Sequence, residues 1–94
     1  MLMIAVTIAA MLEDDRYWPP PCHGDICTMT GLGGIVSVWV EHVERNRDKT
    51  FVVRGTCASA CNIAVQHAIR SGFAVIMFPG SRLIKHNPSP AKWF

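Results

Sequence analysis

The stretch Arg54-Gly55-Thr56-Cys57-Ala58-Ser59-Ala60-Cys61-Asn62-Ile63 (RGTCASACNI) places one serine between two alanines, and those between two cysteines. It joins a β-prone run, Thr50-Phe51-Val52-Val53-Arg54, to a segment of helical spacing, Ser59 to Arg70, that Ser71-Gly72 stops. Residues 55–58 are expected to turn between the two. A serine at such a junction has two readings. It caps the helix, a role serine favours. Alternatively, its hydroxyl is held at an exposed edge, where helix N-terminal N–H groups and the helix dipole favour negative charge. Small neighbours let a substrate carbonyl approach the backbone, which is the logic of a nucleophile elbow, although the sequence is not Gly-x-Ser-x-Gly.

Downstream, Phe73 to Phe78 (FAVIMF) is a continuous apolar run and predicts the most buried strand. Pro79-Gly80 turns, Arg82 to Lys85 is a last short strand, and Asn87-Pro88-Ser89-Pro90 ends the pattern. Upstream, Ile26 to Thr30 is a short strand, broken by Gly31-Leu32-Gly33-Gly34. Apolar residues at 35, 36, 39, 40 and 43 then predict a helix from Ile35 to Arg47, dependent on packing because it is rich in β-branched residues. Alternation of strand and helix predicts an α/β fold of parallel strands with right-handed crossovers. Loops at the carboxyl ends of such strands carry function. Gly33-Gly34, Ser59 and His86 are therefore expected at one edge, and Asp25 and Asp48 at the opposite one.

Size allows one domain in 94 residues. Half the residues are hydrophobic and 17% are charged, which excludes a disordered chain. A net charge of +2 from scattered basic residues is too weak to suggest nucleic acid, and no nucleic-acid partner is expected. Residues 1–24 divide into an apolar segment, MLMIAVTIAAML, and a proline-rich arm, EDDRYWPPPCHG; residues 25–94 form the core. The apolar segment is shorter than the about 20 residues a bilayer span needs. It reads as a signal or anchor that would bring the chain to a membrane, or as a strand or helix of the domain.

Cysteines 22, 27, 57 and 61 match no standard zinc spacing. In an exported chain they would pair, and in cytosol they would stay reduced, so the compartment is left open. A metal site from Cys22, His23, Cys27, Cys57 and Cys61 is disfavoured by irregular spacing, and neither metal nor cofactor is expected. Cys57 and Cys61 read more simply as small packing residues or as a disulfide bracing the turn.

A nucleophilic serine needs a base. His67 lies eight residues along the same helix, roughly 12 Å from Ser59 at 1.5 Å per residue, and His42 is equally far along the other helix. His23 sits on the arm in an undefined position. His86 follows a strand and falls at the serine's edge. Gly33-Gly34 at a helix start offers an unobstructed backbone N–H for an oxyanion.

The order of these features, from Gly-Gly through Cys-Ala-Ser-Ala-Cys to Pro79-Gly80-Ser81-Arg82-Leu83-Ile84-Lys85-His86-Asn87-Pro88, resembles the proteolytic subunit of Clp-type serine proteases, in the Clp protease–crotonase superfamily. It is nearest to short Clp-like proteins with Cys-x-Ser-Ala-Cys around the serine. The resemblance covers about residues 25–90. It implies a partial fold of that type, with Ser59 as nucleophile, His86 as base, and Gly33-Gly34 and Ala60 supplying oxyanion donors, Gly34 ahead of Gly33. It also implies a peptide or protein substrate.

The chain departs from the family pattern. No carboxylate follows His86, the family's Ser-Pro before Gly-Gly is Gly31-Leu32, and the segments that build the family's rings are missing, so the chain resembles the middle of the fold. Self-association or a partner protein is expected to cover what a slice of a larger fold exposes. Two readings follow: a serine peptidase of low activity, or an inactive remnant acting as a binding or structural module. A crotonase-type thioester enzyme would share the Gly-Gly donors without needing Ser59 or His86.

Overall fold

Apolar runs rich in β-branched residues become the strands of one sheet in the computed structural model, which describes residues 15–85. Strand β1 is Ile26–Gly31, β2 is Thr50–Ala58, β3 is Ala74–Met77 and β4 is Arg82–Ile84. Helix α1, Val36–Arg45, joins β1 to β2, and α2, Ala60–Arg70, joins β2 to β3. The order is β1-β2-β3, and every pairing, including that of β4 with β2, is parallel. The expected α/β architecture of parallel strands and crossover helices is present. Cys57 pairs with Gly31 on one side and Leu83 on the other, so β4 follows β3 along the same edge of β2. Two successive crossovers running the same way put α1 and α2 on one face, where they pack together.

That face holds the core. Alternate strand residues Cys27, Met29, Phe51, Val53 and Cys57 meet Trp39 and Val43 of α1 and Ala60, Ala64, Val65 and Ala68 of α2. Alanines four apart give α2 a thin stripe that allows close approach to its neighbours. Between the helices, His67 Nε2 lies 2.6 Å from Glu44 Oε2. Asn46 ends α1, its side-chain amide donating to the His42 carbonyl.

Two expectations are corrected. Residues 55–58 do not turn; β2 runs through them to Ala58. Between the Met29–Val53 and Gly31–Cys57 pairings, four steps of β2 oppose two of β1, so an irregularity at Gly55 absorbs the excess and the strand continues. Nor is β3 the most buried strand: Ile76 is 53% exposed, and Met77 and Phe78 are also exposed. A continuous apolar run signals double burial only where both sheet faces are covered. Here helices cover one face, and β3 also lies at the edge beyond β2. On the open face Thr28, Val52 and Ile76 stand in register across three strands.

The proline-rich arm is tied down. A short 3-10 turn at Asp15–Tyr17 abuts the carboxyl end of β1, with the Leu32 N–H donating to the Arg16 carbonyl. Further along, Cys22 is bonded to Cys27, and His23 and Ile26 exchange backbone hydrogen bonds. The apolar segment 1–12 lies outside the described residues, and so does His86. Among the described residues, no helix is long and apolar enough to cross a membrane.

Candidate functional site

The carboxyl ends of β1, β2 and β4 meet at one edge. There the backbone passes from Ala58 to Ala60 through Ser59, whose φ of 56° and ψ of −120° make it the only described non-glycine residue with positive φ. Such a conformation costs on the order of 1–3 kcal/mol. A serine that merely capped α2 would take extended φ and ψ and hydrogen-bond a first-turn N–H, gaining about 1 kcal/mol. Ser59 makes no capping hydrogen bond. The capping reading therefore fails.

Three constraints hold the turn. The Ser59 N–H donates to the Ile84 carbonyl at 3.0 Å, and its carbonyl accepts from the Ile63 N–H at 2.9 Å. The third is a disulfide from Cys57 at the end of β2 to Cys61 in the first turn of α2, spanning the serine on both sides. Of the two readings of Cys57 and Cys61, packing residues or a bridge, the structure has the bridge, and both cysteines are also fully buried.

Gly33 lies against this turn. A Cβ added at Gly33 would stand 2.7 Å from the Ser59 Cβ and 2.9 Å from the Ala60 nitrogen, so only glycine lets the two loops touch. The Gly33 carbonyl accepts from the buried Trp39 indole N–H at 2.8 Å. Because the Gly33–Gly34 peptide is trans, its N–H, that of Gly34, points the opposite way, out of the core. Gly34 is itself exposed and backed by the Tyr17 carbonyl, with which any side chain would collide. Among the described residues, neither the Gly34 N–H nor the Ala60 N–H is used in a hydrogen bond. Gly33, Gly34, Ser59 and Ala60 thus converge, with Gly33 as spacer and two N–H groups left over.

Several titratable groups lie away from this turn. Asp25 and Asp48 precede β1 and β2 and stand at the far edge, as expected. His67 pairs with Glu44, and Glu41 with Arg45. His42 lies with its Nε2 3.7 Å from Cys22 Sγ, and burial, reinforced by Arg45 and Lys49, lowers its pKa from the ordinary 6.5. Sequence reasoning left the path of the arm open. The Arg16 carbonyl accepts from the Leu32 N–H beside Gly33, and the Tyr17 carbonyl backs Gly34, so the arm closes on this edge. Spacing gave no signal of this, because the arm's path depends on contacts at Leu32 and Gly34.

The fold and site define a parallel α/β unit with a strained serine turn at its carboxyl edge, Gly33 packed against that turn, and the Gly34 and Ala60 N–H groups without a hydrogen-bond acceptor among the described residues. No protein-family model, curated protein or solved structure matches this chain.

Proposed function

We propose that this chain is a serine-type hydrolase of the Clp-like kind, acting on peptide bonds. Ser59 attacks the carbonyl, His86 takes its proton, and the Gly34 and Ala60 N–H groups hold the oxyanion. The observation that carries the reading is the Ser59 turn: a non-capping hydroxyl held at positive φ between a strand end and a helix start. Strain of this kind persists where neighbours enforce it and is concentrated at functional sites.

The order of the sequence supports His86 as the base: the Ile84 carbonyl accepts from the Ser59 N–H, and His86 is the second residue after Ile84 in the sequence. In this reading His86 acts without a carboxylate partner, which leaves its tautomer unfixed and the imidazole a weaker base. Turnover by the isolated chain is therefore expected to be slow. The test is hydrolysis of a mixed peptide library by the purified chain and by Ser59→Ala and His86→Ala. Slow cleavage lost in both variants supports the reading, whereas cleavage equal in Ser59→Ala removes it.

One observation favours the second reading, a non-catalytic binding module. The open sheet face carries Ile26 and Ile76 exposed to solvent, a surface that a partner or second copy would cover. A chain that associates through this face yet never cleaves peptides or reacts at Ser59 would fit that reading alone.

A further inference from the structure

A second constellation lies away from the serine turn, where the arm meets the start of β1 and the middle of α1. Cys22 Sγ, Cys27 Sγ and a His42 ring nitrogen all lie within 4.8 Å of one another. The Cys22 Sγ to His42 Nε2 distance is 3.7 Å. With Zn–S near 2.3 Å and Zn–N near 2.0–2.1 Å, a tetrahedral zinc separates sulfur from nitrogen by about 3.6 Å. Two thiolates and an imidazole suit a soft divalent ion and leave the fourth position to water. The sequence reading weighed these cysteines with His23 and the elbow pair, and it missed His42, which is 15 residues beyond Cys27 and enters only because α1 packs beside the arm.

We propose that, once the Cys22–Cys27 disulfide is reduced, the Cys22–Cys27–His42 corner binds one zinc ion, so that disulfide and metal are alternative states of the same corner. In the oxidised chain neither sulfur is a thiolate and the corner has one ligand. A phosphine reductant takes an oxygen from water to become the phosphine oxide, and the disulfide becomes two thiols. Zinc then displaces both thiol protons and forms two Zn–S bonds and one Zn–N bond. The sulfurs need only part to about 3.8 Å, the S···S edge of that tetrahedron. Cys22 is half-buried on the arm, which gives reductant and ion a way in, whereas the Cys57–Cys61 pair is sealed in the core. Because the same arm supplies the Arg16 and Tyr17 carbonyls behind Leu32 and Gly34, the ion would keep the arm anchored when the disulfide is absent.

The experiment titrates zinc into the full chain, oxidised and phosphine-reduced, against a chromophoric chelator, with cobalt as a spectroscopic substitute. The reduced chain is expected to take up one equivalent, and the oxidised chain none. Cobalt in the reduced chain should show thiolate charge-transfer absorption and the intense visible bands of a tetrahedral site. Cys22→Ser should abolish the site although it retains Cys57 and Cys61, and His42→Ala should weaken it about tenfold or more. No uptake by the reduced chain, equal uptake by the oxidised chain, an octahedral cobalt spectrum, or unchanged affinity in His42→Ala would each overturn the proposal. The unmutated chain alone decides through the cobalt spectrum, whatever the variants do to folding.

Discussion

Ser59 was legible as a residue but not as a conformation. A serine before a helix serves equally as a cap or as an elbow, and the sequence signal is the same for both. The difference lies in φ, which long-range constraints decide: the Ile84 carbonyl, the cross-turn disulfide and the Gly33 surface. Gly33 is the sharper test of that packing. At φ 110° and within 3 Å of Ser59 at any added Cβ, it tolerates no side chain. Gly33→Ala is expected to destabilise by on the order of 1–3 kcal/mol, the usual cost of a residue forced into such a region. It should also abolish reaction at Ser59, measurable by chemical denaturation and active-site labelling. An Ala variant as stable and reactive as the parent would contradict the contact. Trp39→Phe keeps most of the packing but leaves the buried Gly33 carbonyl unpaired, a loss of about 1–3 kcal/mol. Because that hydrogen bond sets the Gly33–Gly34 peptide, reactivity should fall along with stability.

Among the elements, β1, both helices and the parallel pairings were legible from periodicity, because one covered sheet face imposes alternation. Strand β3 was misread for the same reason: its run is apolar on both sides, yet only the helix side is covered. Ile76→Asp is thus expected to cost the monomer about 0.5 kcal/mol, the scale of an exposed site, instead of the several a buried charge would cost. An unfolding free energy lowered by several kcal/mol in urea titration would restore the buried reading. The Cys57–Cys61 bridge ties β2 to α2 over a loop of five residues. Chain-entropy arguments give about 2 kcal/mol for such a closure. Cys57→Ala with Cys61→Ala should lower stability by about that amount and relax the Ser59 turn, slowing labelling more than the stability loss explains. Unchanged labelling kinetics would show that the turn holds without its brace.

At the scale of the whole molecule, the described residues pack one core against a single sheet face and leave Ile26 and Ile76 exposed on the other. Small domains of this size are marginal without staples, and here two disulfides tie the arm to β1 and the elbow to its helix. Uncovered apolar surface is expected from the resemblance to a slice of a larger fold, but composition does not say which face stays open, since half-apolar chains cover both faces when they have helices to spare. Self-association through that face is the expected consequence. Sedimentation should show a species larger than the monomer that Ile76→Asp returns to monomer, and a parent chain that is monomeric at all concentrations would refute it.

The central claim is that the Ser59 hydroxyl is a nucleophile held ready by its turn. It is tested most directly by treating the oxidised chain with a fluorophosphonate and locating the adduct by mass spectrometry. The account predicts one adduct, on Ser59, absent from Ser59→Ala and from heat-unfolded protein. No adduct on the folded chain, or an adduct that persists in Ser59→Ala, would contradict it.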